Sequence, residues 1–377
     1  MLALAGGTVY VDPLHDPIAN GTVLLEGGTI LAAGHGIEPP THARVLDCSG
    51  ATVAAGFWNA HVHLFERKWA NAAEIPAPEL AEQLQSFTRY GFTSVFDLGS
   101  SWRNTTIVRD RIASGEVDGP AIYSTGEIVI PPGALPPEAV LRALGTAPVQ
   151  AHEIDSAEQG TRAAQTILAQ GTDALKVFAS GNAPAQKLAK DAFHAAVRQA
   201  HELERPVFAH VNDADDVLAA LDAGVDVVAH TTPRSGAWDS SLTQAAKRRD
   251  AALTPTLAAW PHLMRHDRAG LVRHVHETAV AQLRAWLDAG AAVLFGTDVG
   301  AVEADPAPEF AMMREAGMTF AQILDSLTTA PAKRFARARK CGRIAAGYEA
   351  DVTVFLTPFE VRYTIRGGRV VYQREAA

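Results

Sequence analysis

The chain has 377 residues, enough for a barrel of about 250 residues and a smaller module. Hydrophobic residues make up 47% and charged residues 20%, which excludes a disordered chain, and the net charge of -9 sets the molecule against nucleic acid and anionic membrane. The only cysteines, Cys48 and Cys341, exclude a disulfide framework and a Cys-rich zinc site and favour a reducing cytoplasm.

Met1-Leu2-Ala3-Leu4-Ala5 is apolar but lacks a basic flank, so it does not read as a signal peptide, and no apolar run reaches the roughly 18 residues of a membrane helix. From Leu2 to Ala55 short β runs (Thr8 to Val11, Thr22 to Leu25, Thr29 to Ala32, Arg44 to Leu46, Ala51 to Val53) are cut by turn signals at Gly6-Gly7, Asn20-Gly21, Gly27-Gly28 and Ser49-Gly50. This is a small all-β unit, residues 1–55.

Residues 56–339 alternate apolar strands with amphipathic helices, the pattern of a parallel sheet. Strands are predicted at 56–61, Ser94 to Leu98, Ala121 to Thr125, Ala174 to Phe178, Pro206 to His210, Val225 to His230, Ala252 to Thr256 and Ala292 to Thr297, which argues for a (β/α)8 TIM barrel. A Pro-rich insertion, Gly126 to Asp155, follows the third strand and belongs to the catalytic face, as a pocket wall or a surface excursion. Lys247-Arg248-Arg249 and the stretch Lys333 to Lys340 read as helix ends; neither carries the aromatics of a nucleic-acid platform. From residue 340 to 377 β runs resume, too short to bury a core alone. They are expected to complete the N-terminal block as one small β-sandwich domain built from both termini.

The first barrel strand ends in Gly56-Phe57-Trp58-Asn59-Ala60-His61-Val62-His63-Leu64, and strand alternation puts His61 and His63 on one face with Phe57 and Asn59. The ends of other apolar runs supply Lys176, His210, His230 and, in Leu294-Phe295-Gly296-Thr297-Asp298, Asp298. The C-terminal ends of barrel strands carry the active site, so these six residues are predicted to converge. Four imidazoles, a carboxylate and an amine are hard to bury as packing, whereas they suit a metal site. Zinc fits mixed imidazole and carboxylate ligands, with manganese, cobalt or iron as other candidates.

This arrangement resembles the metal-dependent amidohydrolase superfamily, with greatest similarity to the branch of imidazolonepropionase and the prolidase-type dipeptidases. The His-x-His, the strand-four Lys, the two later His and Gly296-Thr297-Asp298 follow that family's order. Leu25-Glu26-Gly27-Gly28-Thr29-Ile30 and Gly347-Tyr348-Glu349-Ala350-Asp351 resemble its flanks. The resemblance implies two divalent metal ions bridged by carboxylated Lys176 and a hydroxide, with His61, His63 and Asp298 on the first ion and His210 and His230 on the second. Asp298 would then take the proton and pass it to the leaving amine. Val211-Asn212-Asp213 stands where the branch often has a second His, and Gly126-Glu127 where it has Gly-His.

The expected activity is a cytoplasmic binuclear hydrolase cleaving an amide-type bond of a small N-acyl amino acid or dipeptide-like molecule, possible as a homo-oligomer. The alternatives are a cyclic-amide hydrolase, an esterase, lactonase or phosphotriesterase, and a barrel that only binds. Arg67 and Arg234 are candidate carboxylate anchors and Trp69, Trp102, Trp238 and Trp260 candidate pocket aromatics.

Overall fold

The computed structural model describes residues 1–134, 150–181, 183, 185–300, 304–356 and 359–375, apart from the side chain of Arg67. The N-terminal strands are β1 (Leu2–Val9), β2 (Ile18–Glu26), β3 (Thr29–His35), β4 (Arg44–Asp47) and β5 (Thr52–Ala55); the C-terminal ones are β16 (Val352–Leu356), β17 (Glu360–Arg366) and β18 (Arg369–Gln373). They form one hydrogen-bonded sheet in the order β18-β17-β16-β5-β1-β2-β3, with β4 also on β1. All eight strands are thus linked by hydrogen bonds into one mixed sheet that branches at β1.

The reason lies at Gly6-Gly7, which is a break inside β1 and not a turn before it. Gly6 has φ +82° and a Cβ on Gly7 would stand 2.7 Å from Val53, so only glycine permits the irregularity. Leu2–Ala5 then pairs with β4 and Thr8–Val9 with β5, so one strand serves both halves of the module. Leu4, Val9, Val23 and Leu25 share a core with Val352, Val354 and Ile365. Hydroxyls on the C-terminal strands seat the module on the rest of the chain: Thr353 donates to Gly91 O (2.8 Å) and Thr364 to Thr88 O (2.6 Å).

Between the two halves of that sheet the chain has a TIM-barrel-like α/β fold. Parallel strands β6 (Phe57–Val62), β7 (Phe92–Asp97) and β8 (Ala121–Ser124) form one sheet. A second has the order β10-β9-β11-β12-β13-β14-β15, comprising β9 (Ile128–Ile130), β10 (Ala151–Glu153), β11 (Leu175–Phe178), β12 (Val207–His210), β13 (Val227–Ala229), β14 (Ala252–Thr254) and β15 (Ala292–Val293). Asp173 N–H donates to Ser124 O (2.8 Å) where the two sheets meet on one side. On the other, Leu294–Val299 lies against its neighbours without a regular ladder: Leu294 N–H donates to Leu253 O (2.8 Å), Ala60 N–H to Phe295 O (2.7 Å) and His63 N–H to Val299 O (2.7 Å). The strands read as near-continuous apolar runs because both faces are covered. Ala60, Phe96, Leu98, Phe208, Val227 and Leu294 form one cluster, closed off by the Phe335 ring at 4.8 Å from Phe96.

Two expectations change here. The third strand does not stop at Thr125: Ile128 and Val129 pair with Lys176 and Val177, so the chain resumes the strand beyond Gly126, whose φ of +61° interrupts it. β10 adds outside β9, so the supposed insertion begins and ends as sheet, and residues 135–149 lie outside the described ones. Among the described residues no helix is long and apolar enough to cross a membrane.

Candidate metal centre

The site begins with a bulge in the first barrel strand. Simple alternation would set His61 and His63 on the face of Phe57, but the pairing of β6 with β7 shifts register between Asn59 and Val62. Phe57, Val62 and Leu64 pack in the main core, whereas Ala60 lies in the cluster with Phe96 and Phe208. Asn59 accommodates the irregularity: its Oδ1 accepts from His61 N–H (3.3 Å) and Thr297 N–H (3.2 Å), and its Nδ2 donates to Thr297 Oγ1 (2.7 Å). One buried amide thus clamps strand one to the segment carrying Asp298.

The ring of His61 lies 5.2 Å from that of His63 and 4.7 Å from that of His230, and the His210 and His230 rings are 4.9 Å apart. Asp298 Oδ1 stands 3.0 Å from His63 Nε2 and 3.4 Å from His61 Nε2. Ligand atoms of His61, His230 and Asp298 all lie within 4.8 Å of one another, a candidate metal-binding group. Lys176 comes to the same place, 1% exposed, with its Nζ 5.6 Å from the Phe178 ring, which in turn stacks on His210 at 4.4 Å.

Burial sets the charge of these groups. It pushes His61, His210 and His230 well below the ordinary imidazole range, with Lys176 adding repulsion, so they are neutral and offer lone pairs. Burial likewise brings the Lys176 amine down to about 7, Asp298 pulling the other way. His61 Nε2 and Lys176 Nζ are buried without a hydrogen-bond partner. Orphaned buried polar atoms are costly, and a divalent cation accepting lone pairs from neutral imidazoles satisfies that of His61; the imidazoles and the Asp298 carboxylate fit such an ion.

Several supporting residues were not singled out in the sequence. Thr256 Oγ1 lies 2.7 Å from His230 Nδ1 and Thr254 Oγ1 3.4 Å from His61 Nδ1, so strand seven orients two imidazoles while offering no ligand. Asp97, fully buried at the end of β7, accepts from Leu64 N–H (3.0 Å), Ser124 Oγ (2.6 Å) and Ser100 Oγ. It fixes the chain just after His63, and reading the last polar residue of strand two would have found it. His230, Thr256 and Asp298 have φ of 81°, 43° and 60°, conformations rare outside glycine, so backbone strain is concentrated at the site.

The aromatic candidates divide. Trp69 is fully buried and stacks on Phe87 (5.9 Å), and Trp238 is buried, donates to Thr232 Oγ1 (2.8 Å) and packs on Trp286 (5.7 Å); both rings belong to the core. Trp102 is half-buried against the barrel wall, its indole donating to Gln170 O (3.0 Å) under Arg109. Trp260 is half-buried with the exposed Arg234 guanidinium 5.8 Å above it. The Arg67 side chain lies outside the described residues. His276 pairs with Glu315 (2.7 Å), away from the ligand cluster.

Glu309, on the helix Ala307–Glu315, is 1% exposed and accepts from Ala258 N–H (2.8 Å), holding the chain beyond strand seven. Burial raises its carboxyl from the ordinary 4.5 to about 7. The folded state therefore holds this proton more tightly than the unfolded one: the stability it confers is full below about 4.5, is lost as pH rises to about 7, and is flat above. Glu309→Gln cannot ionise and is expected to exceed the unmutated protein in stability at pH 8 by on the order of 3 kcal/mol, with little difference at pH 4.5. Urea unfolding at the two pH values measures this; an equal difference at both would contradict it.

Comparison with known proteins bears on the fold and the family. No curated protein matches the sequence. Among solved structures, a Xaa-Pro dipeptidase with bound methionine superposes with a TM-score of 0.83 at 20% identity, covering 99% of this chain and 100% of that one. A prolidase complexed with N-methylphosphonate-L-proline gives 0.79 at 23%, covering 99% and 100%, and A. niger ochratoxinase 0.79 at 20%, covering 99% and 95%. These likenesses concern the fold. The model of the amidohydrolase family, however, matches residues 52–371, most of the chain and the span in which the cluster lies, and the chain therefore belongs to the amidohydrolase family and is a metal-dependent hydrolase.

Proposed function

We propose that this chain is a binuclear hydrolase that cleaves an amide-type C–N bond in a small N-acyl amino acid or dipeptide-like molecule. The observation that carries the reading is Lys176: an amine with no partner, buried among three neutral imidazoles and Asp298 and brought down to about 7. As an ammonium it would repel any metal ion held there. As a free amine it could add carbon dioxide and release one N–H proton to solvent, and the carbamate would supply oxygen ligands, with His61, His63 and Asp298 the residues that would hold one ion and His210 and His230 those that would hold the other. Zinc is the ion this ligand set favours. The closed eight-stranded barrel of residues 56–339, with strand eight completed by Leu294–Val299, and the joint terminal module of 1–55 and 340–377 belong to the same reading.

Divalent metal in such a site lowers the pKa of water towards about 7 and polarises a carbonyl. The chain's own residues do the rest. Asp298, whose Oδ1 stands within 3.4 Å of two imidazole nitrogens, would take the proton from the attacking water and return it to the leaving amine. Asn59 and Asp97 hold the His61-Val62-His63 turn, and Thr256 holds His230, so that little rearrangement accompanies the reaction. Arg234, whose guanidinium lies over Trp260, would bind a substrate carboxylate. The names of similar folds, Xaa-Pro dipeptidase and prolidase, support a dipeptide-like substrate.

The test is a panel of dipeptides, N-acyl amino acids, cyclic amides, esters and lactones assayed on metal-loaded protein. Turnover of open-chain amides well above the others is the expected result. Preference for cyclic amides would favour the imidazolonepropionase-like reading, and preference for esters or lactones the esterase-like one.

A further inference from the structure

The sequence after His210 departs from the family's habit, and the structure gives that departure a use. Lys187 Nζ donates to Asp216 Oδ1 (2.6 Å), and Asp216, 2% exposed, is therefore a carboxylate that can only accept. Its Oδ2 accepts from Asn212 N–H (2.8 Å) and from the Ser180 hydroxyl. With the Ser180 proton committed to Asp216, Ser180 Oγ must accept from its other neighbour, Asn212 Nδ2 at 3.0 Å. The same Nδ2 lies 3.2 Å from Gly181 O and 3.4 Å from Ser180 O, which are acceptors only. The amide of Asn212 thus has one permitted orientation, with Oδ1 turned to His210 Nε2 at 3.2 Å. A ring nitrogen facing a carbonyl oxygen carries a proton, so a neutral His210 has its lone pair on Nδ1.

We propose that Asn212, oriented by Ser180 and Asp216, is a positioning residue that fixes His210 in the Nε2–H tautomer and leaves Nδ1 as the nitrogen that binds the ion. The metal half of this statement rests on the reading of His210 as a ligand. The device also joins the two loops that matter most to the second ion. Ser180 and Lys187 bridge each other in the hairpin that follows Lys176, while Asn212, Asp213 and Asp216 follow His210. A chain of donors with fixed direction therefore runs from the imidazole through Asn212 and Ser180 to Asp216, which accepts from Lys187 on its other oxygen. Groups that orient a ligating imidazole are worth about 10–100-fold in metal affinity.

The test is two-bond 1H–15N correlation of the histidine rings in metal-free protein at pH 8, with His210 assigned by its loss in His210→Gln. The unmutated protein is expected to show the proton on Nε2. Asn212→Leu is expected to lose that preference and to release one ion about 10–100-fold more readily in chelator competition, whereas Asn212→Asp, which keeps an acceptor, retains the tautomer. Ser180→Ala removes the relay without touching Asn212. Gly181 O and Ser180 O still face Asn212 Nδ2 in it, so it is expected to blur the tautomer less than Asn212→Leu does, and Asn212→Ala replaces Asn212→Leu should that variant not fold. A proton on Nδ1 in the unmutated protein, or an unchanged tautomer in both Asn212→Leu and Ser180→Ala, overturns the proposal. The expected tautomers with unchanged ion release overturn its metal half alone. A protein that takes up no ion defeats the reading of the site, and the metal-free spectra still judge the orientation of His210 separately.

Discussion

Asp298→Asn is expected to lower kcat by about 10²–10⁴-fold, the usual worth of a positioned acid–base group, while leaving the fold intact. Asparagine has the same shape and keeps an oxygen toward His61 and His63, yet it can neither accept a proton nor neutralise a cation. The backbone at Asp298 is held by its N–H bond to His61 O (2.8 Å), which the substitution leaves untouched. Its φ of 60° is a conformation that asparagine tolerates well among non-glycine residues. A loss of turnover without a loss of thermal stability is thus the signature of the assigned role. Full activity of Asp298→Asn toward every substrate would remove Asp298 from the chemistry and reopen the possibility that the barrel only binds.

Lys176→Ala is expected to reduce the metal content from two ions to one and to abolish most activity, with partial recovery on adding formate, acetate or propionate. The side chain occupies an almost fully buried position on β11, so its removal leaves a space that a short carboxylate can enter, presenting two oxygens where the proposed carbamate would stand. Rescue by carboxylates and not by chloride separates a bridging role from a merely electrostatic one. A fully active alanine variant with two ions would defeat the bridge.

The clustering of the candidate ligand side chains was legible in the sequence because most of them stand at or just beyond the end of an apolar strand, where a polar residue in a parallel sheet has few other uses. Strand seven was silent for the same reason in reverse: Thr254 and Thr256 act through hydroxyls, which no ligand pattern distinguishes from ordinary strand residues. The facing of His61 was misread because alternation assumes a regular strand, and the bulge depends on the Asn59 contacts with Thr297, 238 positions away. Gly6-Gly7 looked like a turn since a glycine pair between apolar runs signals either a turn or a bulge, and pairing with β4 and β5 decides which. Trp69 and Trp238 were offered as pocket aromatics from their position after strands. Nothing local separates a loop ring that lines a cavity from one that turns inward onto Phe87 or Trp286.

The most direct measurement is the metal content of the purified protein by plasma mass spectrometry, with bicarbonate present throughout so that Lys176 can be carboxylated. Two transition-metal ions per chain, falling to one in Lys176→Ala, is the expected result. One ion in the unmutated protein would favour a mononuclear cyclic-amide hydrolase, and none after incubation with zinc and manganese would contradict the metal centre itself.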